Sequence, residues 1–189
     1  MTDKPTIEMT REEWLAWRAK QHPGPNPPPP APRKSAYLYA YRQVIHLGSQ
    51  AVYRAAVGDP KGVEVFLPPD TSDQDLGAKV HAALAASRFI EPDHPEWTTV
   101  MRFPTSEEAR EHDKRVLAAA GVKTLKALRT GARHVGLTLR DGVISVEPWE
   151  QRSGGFWEPL DRSLTVTVPE EVPDEALGAA AREALARSR

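Results

Sequence analysis

Apolar and polar positions divide the chain into an N-terminal arm, a proline-rich spacer and a long stretch in which strand-like and helix-like patterns alternate. In MTREEWLAWRAKQ, Thr10 and Glu13 have the spacing of a capping box and acidic residues fill the first turn, which predicts a helix. Trp14 and Trp17, three positions apart, share one face of it, and that face is expected to dock on the main domain or on a partner. PGPNPPPPAP follows, where each proline fixes φ and removes a donor, so an extended spacer is expected. From Ser35 the runs AYLYAYRQVIHL and AVYRAAV read as two strands turning at Gly48 and Ser49, and VEVFL, after the GDPKG turn, reads as a third. Pro68 and Pro69 end that strand, and SDQDLGAKVHAALAASRF begins a helix capped by Ser72 with Asp75 three positions on.

EPDHPEWTTVMRFPT reads as a proline-punctuated loop with a short strand over 98–103. SEEAREHDKRVLAAAGV predicts a helix over 106–120 stopped by Gly121, and a shorter helix covers 124–130. HVGLTLR and VISVEPW then flank Asp141-Gly142, a strong two-residue hairpin signal. QRSGGFWEPLDR is a longer connection, LTVTV is another strand, and Pro169 and Pro173 lead into EALGAAAREALARSR.

At one constant offset Pro68 falls on Pro169, Leu76 on Leu177, Gly77 on Gly178, Ser87 on Ser188 and Arg88 on Arg189. Alanine matches between alanine-rich helices carry little weight, but glycine inside a helix costs about 0.5–1 kcal/mol relative to alanine, so propensity does not place Leu-Gly there twice. Such a glycine is expected where a helix backbone approaches the sheet closely. The predicted fold is α+β: two βββα-like repeats, 35–90 and 131–189, with a helical connection over 91–130 and antiparallel sheet covered by helices. This domain, 35–189, follows a helical arm over 1–22 and a linker over 23–34.

A length of 189 residues fits one main domain, and a net charge of −1 gives no global field favouring nucleic acid or an anionic membrane. Absence of cysteine excludes disulfides, thiolate nucleophiles and Cys-ligated metals. Without a secretory pattern or a long apolar run, a cytoplasmic protein is expected, with a monomer favoured.

Motifs for phosphate, dinucleotide or zinc-protease chemistry are missing, and the histidines show no metal-ligand spacing, so no catalytic residue, cofactor or metal is expected. The basic stretch over 123–140 lacks interleaved aromatics and reads as a solvated face. One segment stands apart: in EPWEQRSGGFWEPLD, the carboxylates Glu147, Glu150, Glu158 and Asp161 surround Trp149, Phe156 and Trp157. Aromatic anchors with acidic neighbours suit a basic protein partner, although Phe156 and one tryptophan equally suit a core.

The strand running into VTVPEEVPDEALGAAAREALARSR, its earlier copy FLPPDTSDQDLGAKVHAALAASRFI, LKALRTGARHVGLTLRDGVISVEPW and the aromatic GGFWEP together resemble the immunity proteins of contact-dependent growth inhibition systems. The resemblance covers most of 35–189 and leaves out the arm. It implies a small cytoplasmic protein without chemistry of its own that binds and blocks the toxic C-terminal domain, often a nuclease, of a secreted effector. The other reading is a regulatory or scaffold protein docking an endogenous partner through Trp14 and Trp17.

Overall fold

The computed structural model describes residues 28–153 and 155–189, together with Glu12, Glu13, Ala16 and Lys20. Two units are present, Met1–Ala31 and Pro32–Arg189. In the first, those four residues are helical and exposed, while Thr10, Trp14 and Trp17 lie outside the described residues.

The second unit is built on a nine-stranded sheet. Strand β1 (Lys34–Ala40) pairs antiparallel with β2 (Ile45–Val52), whose far edge is shared by β3 (Ala56–Gly58) and β4 (Glu64–Leu67). Helix α1 (Asp73–Ala86) follows, and β5 (Arg88–Phe89) runs parallel to the end of β2. Three helices, α2 (Trp97–Val100), α3 (Ser106–Ala119) and α4 (Leu125–Arg129), lead to β6 (Arg133–Arg140), which lies antiparallel to β1 with Tyr37 opposite Gly136. Strand β7 (Val143–Gln151) pairs with β6, and its far edge is shared by β8 (Trp157–Pro159) and β9 (Val166–Pro169). Helix α5 (Asp174–Arg187) completes the fold.

Local chemistry explains most boundaries. Ser72 accepts the Asp75 N–H at the start of α1, Thr105 and Glu108 form a reciprocal capping box on α3, and Thr124 caps α4. Asp141 and Gly142 both have positive φ, as the tight β6–β7 hairpin requires.

Four expectations need correction. The first hairpin turns between β1 and β2 at residues 41–44, and β2 runs straight through Gly48 and Ser49. Gly48 serves packing instead: a Cβ there would lie 2.5 Å from the Cζ of Tyr37 on the neighbouring strand. The stretch over 98–103 holds no strand; Trp97–Val100 makes one helical turn, with Trp97, Val100 and Met101 packed beside Ala51 and Ile90. Four strands, not three, precede α1, and four more separate α4 from α5.

Alternation of side chains across the strands separates two faces. Ala36, Leu38, Ile45, Leu47, Val135, Leu137, Ile144 and Val146 form one core with Leu76, Val80 and Leu84 of α1 and Leu177, Ala181 and Leu185 of α5. A second cluster joins α3 and α4, through Val116, Ala120 and Leu128, to Val44, Tyr41 and Phe66.

The Leu-Gly pairs sit where α1 and α5 touch each other, which corrects the expectation of a helix-to-sheet contact. A Cβ on Gly77 would stand 2.5 Å from the carbonyl carbon of Asp174, and one on Gly178 would stand 2.6 Å from that of Asp73. Polar groups follow the same reciprocal pattern: Arg182 pairs with Asp73 at 2.6 Å, and His81 pairs with Asp174 at 2.6 Å.

The paired Ser-Arg endings also have a structural role. Ser87 Oγ accepts the Ser35 N–H at 2.8 Å and donates to the Gln50 carbonyl at 2.7 Å. Ser188 Oγ accepts the His134 N–H at 2.9 Å and donates to the Trp149 carbonyl at 2.6 Å. Each hydroxyl therefore bridges two strands at the place where their own ladder stops. Ser188→Ala strands the buried His134 N–H, while the Trp149 carbonyl keeps the Arg189 N–H at 3.2 Å, and should cost about 2 kcal/mol in urea unfolding, since an unmet buried polar group costs roughly 1–3 kcal/mol. Ser188→Thr, which keeps the hydroxyl, should lose less.

Candidate functional site

The sheet face away from α1 and α5 carries rings in place of aliphatic chains. Tyr39 stacks on His134 with centroids 4.0 Å apart, Trp157 stands edge-on to both at 5.9 and 5.4 Å, and Trp149 lies 5.2 Å from His134. The close approach of Trp149 depends on Gly136, diagonal to it on the neighbouring strand, where a Cβ would come 3.0 Å from the indole Nε1. That Nε1 is buried without a hydrogen-bond partner. His134 is 6% exposed, and burial, opposed by the contact of its Nδ1 with the Leu38 carbonyl at 3.2 Å, pushes its imidazole down to about 4. Neutral His134 therefore donates from Nδ1 and offers its ring faces to Tyr39 and the tryptophans.

The structure gathers most of the acidic–aromatic segment around this cluster, and it sorts the residues by exposure. Trp149 and Trp157 are half-buried, whereas Phe156, the last residue of the β7–β8 connection, is 74% exposed. Gly155 has φ +83°, and a Cβ there would lie 3.3 Å from the Cζ of Arg129, so α4 abuts the loop. Glu150 and Glu158 face each other across β7 and β8 and clasp Arg152, at 2.6 Å and 3.0 Å. Arg189 adds a second cation 3.4 Å from Glu150. Glu147 is half-buried on β7 opposite Gly136. Asp161 lies after β8, where it caps a short 3-10 turn by accepting the Ser163 N–H at 2.9 Å, and that bond holds its carboxyl below the usual range. The patch is thus an aromatic projection in which two of the carboxylates, Glu150 and Glu158, are already paired with arginines, so it is less acidic than its sequence alone implies.

Polar constellations that the sequence does not reveal involve the histidines. His81 Nε2 lies 3.2 Å from the Glu170 carbonyl while Nδ1 meets Asp174, so this ring joins the helix pair to the β9–α5 connection. His46, 1% exposed on β2, places Nε2 3.0 Å from Glu64 Oε1 on β4, and His112 Nδ1 on α3 lies 3.3 Å from the same oxygen. Residues from three elements meet there, and no local spacing could have announced it. Among the described residues, no helix is long and apolar enough to cross a membrane.

Comparison with known proteins places this fold. The family model for CdiI, described as CDI immunity protein, matches residues 34–188. An immunity protein, CdiI-YPIII, of Yersinia pseudotuberculosis serotype O:3 is 30% identical over 150 residues, spanning 72% of this chain and 85% of that one. Among solved structures, a protein of unknown function from Neisseria meningitidis superposes with a TM-score of 0.73 at 25% identity, covering 84% of this chain and 96% of the other. A CdiA-CT/CdiI toxin and immunity complex from Yersinia pseudotuberculosis gives a TM-score of 0.71 at 25% identity, covering 84% of this chain and 99% of the matched chain. The rings of the sheet face opposite the helix pair, that pair itself and both Ser-bridged ends all lie within the matched span, and the chain belongs to the CdiI family of CDI immunity proteins.

Proposed function

We propose that this protein binds and neutralises the toxin domain at the C-terminus of a contact-dependent growth inhibition effector, in the cytoplasm and without chemistry of its own. The observation that carries this reading is the 30% identity to a curated immunity protein across most of both chains. The fold shared with the immunity–toxin complex of Yersinia pseudotuberculosis supports it. A nuclease is the toxin class we favour, because a basic active site or substrate path suits an inhibitor whose projecting aromatic is rimmed by carboxylates.

The contact surface we assign is the segment around Glu147, Trp149, Glu150, Phe156, Trp157, Glu158 and Asp161. Phe156 is the residue with apolar area to bury on docking, and the half-buried tryptophans form the platform beneath it. Phe156→Ala, at an exposed site, should leave stability unchanged and weaken binding of the cognate toxin domain at least tenfold by calorimetry. Charge reversal at Glu158 should weaken it further by turning an acceptor toward Arg152 into a repelling group. Unchanged affinity in both variants places the contact elsewhere, and failure of the wild type to bind or protect overturns the immunity reading itself. Deleting residues 1–31 should leave protection intact, as an accessory arm requires.

We also infer that the domain arose from a duplicated unit. Three reciprocal features support this: Gly77 and Gly178 each face the opposite helix, Asp73 and Asp174 each pair with the aligned Arg182 or His81, and Ser87 and Ser188 each bridge two strands.

A further inference from the structure

We propose that His46, Glu64 and His112 form a binding site for a divalent transition-metal ion of borderline softness, zinc above all, that fastens helix α3 to the sheet. Each residue comes from a different element, β2, β4 and α3, and their ligand atoms lie within 4.8 Å of one another. The separations to Glu64 Oε1, 3.0 Å from His46 Nε2 and 3.3 Å from His112 Nδ1, fit the edges of a tetrahedron around a metal with bonds of about 2.0–2.1 Å. Two imidazoles and one carboxylate suit zinc, cobalt or nickel and leave a fourth position for water.

The hydrogen-bond pattern favours a cation there. His112 Nδ1 accepts only a long contact from Arg115 Nη2 at 3.5 Å, and it lies 3.3 Å from Glu64 Oε1, so its lone pair faces the carboxylate with room for a cation between them. A metal at the centre meets the lone pairs of both rings and the carboxylate together. Phe66 stacks on His46 at 4.6 Å and fixes the plane of that ring, and the Tyr37 hydroxyl lies 3.2 Å from the same Nε2.

Two features limit affinity. His46 Nδ1 has no partner, and a missing outer hydrogen bond weakens a metal site by about 10–100-fold. The Arg115 guanidinium, 3.1 Å from Glu64 Oε2 and more than half exposed, adds a repelling charge that solvent partly screens. Binding in the micromolar range follows, tighter than an exposed histidine pair and weaker than a closed structural zinc site.

Titration of the full-length, metal-stripped protein with zinc chloride in a calorimeter should give one ion per chain, and cobalt chloride should develop the visible absorption of a tetrahedral complex. His112→Ala and Glu64→Gln, both at exposed or half-exposed positions, should each weaken binding at least thirtyfold without changing the far-ultraviolet dichroism. Arg115→Ala should tighten it severalfold, which a site elsewhere on the chain would not do. Zinc should raise the melting temperature of the wild type and leave that of His112→Ala unmoved. No saturable binding at millimolar zinc overturns the proposal, and so does binding that survives both ligand substitutions.

Discussion

Replacing Gly77 with alanine is expected to destabilise the fold by about 3 kcal/mol, although alanine is the better helix former by about 1 kcal/mol. The sign of the effect is therefore diagnostic. At position 77 the new Cβ would stand 2.5 Å from the carbonyl carbon of Asp174, backbone in the first turn of α5, and no side chain can swing aside to admit it. Helix α1 must lift away, loosening the packing of Leu76 and Val80 against the sheet and lengthening the ion pairs of Asp73 and Asp174. Gly178→Ala meets the Asp73 carbonyl in the same way and should cost a similar amount. Because one separation of the helices relieves both clashes, the double variant should lose less than the sum of the singles, about 4 kcal/mol in place of 6. Urea denaturation of the three variants tests both statements, and a stabilised Gly77→Ala would show that the helices do not approach as described.

Acidification supplies the second large effect. Burial lowers the folded-state pKa of His134 to about 4, whereas an unfolded histidine titrates near 6.5. Between those values the unfolded chain binds the proton that the native state refuses. The stability from this group is therefore complete above about pH 6.5 and is lost as pH falls toward 4, by about 3 kcal/mol in all. His134→Phe preserves a ring against Tyr39 and Trp157 while deleting the titration. It should unfold more readily than wild type at pH 8, having lost the contact with the Leu38 carbonyl, and the two stabilities should converge as pH drops to 4. Parallel curves for the two proteins across that range would show that His134 does not carry the acid sensitivity.

Much of this architecture was legible in the sequence because its signals are local. Ser72 and the Asp141-Gly142 turn act on neighbours within three residues, so each marks its element wherever the rest of the chain goes. Gly48 misled for the opposite reason: its lack of a side chain answers to Tyr37 across the ladder, a contact that only the pairing of β1 with β2 creates. The repeated Leu-Gly was recognisable as a close approach, but what approaches, one helix or the sheet, is a tertiary fact. Among the candidate site residues, composition marked the aromatic and acidic segment, whereas the pairing of Glu150 and Glu158 with Arg152 depends on the β7–β8 register. Nothing short-range relates His46, Glu64 and His112, which three elements bring together.

The seam between β1 and β6 has a bearing on how the molecule reaches its native state. Residues 34–40 must wait for residues 133–139 before that edge is paired, whereas β1 and β2 need only close a tight turn. Loop closure of such length comes late and slows folding, so a kinetic intermediate with the first half ordered and the second loose is expected. During synthesis the open edge of β1 is a row of unmatched donors and acceptors beside the Tyr37 and Tyr39 rings, and another nascent chain at the same stage presents its own. Exchange of second halves between two such chains would satisfy both edges without any new contact, which makes high expression and slow translation the conditions under which swapped dimers of this protein should accumulate.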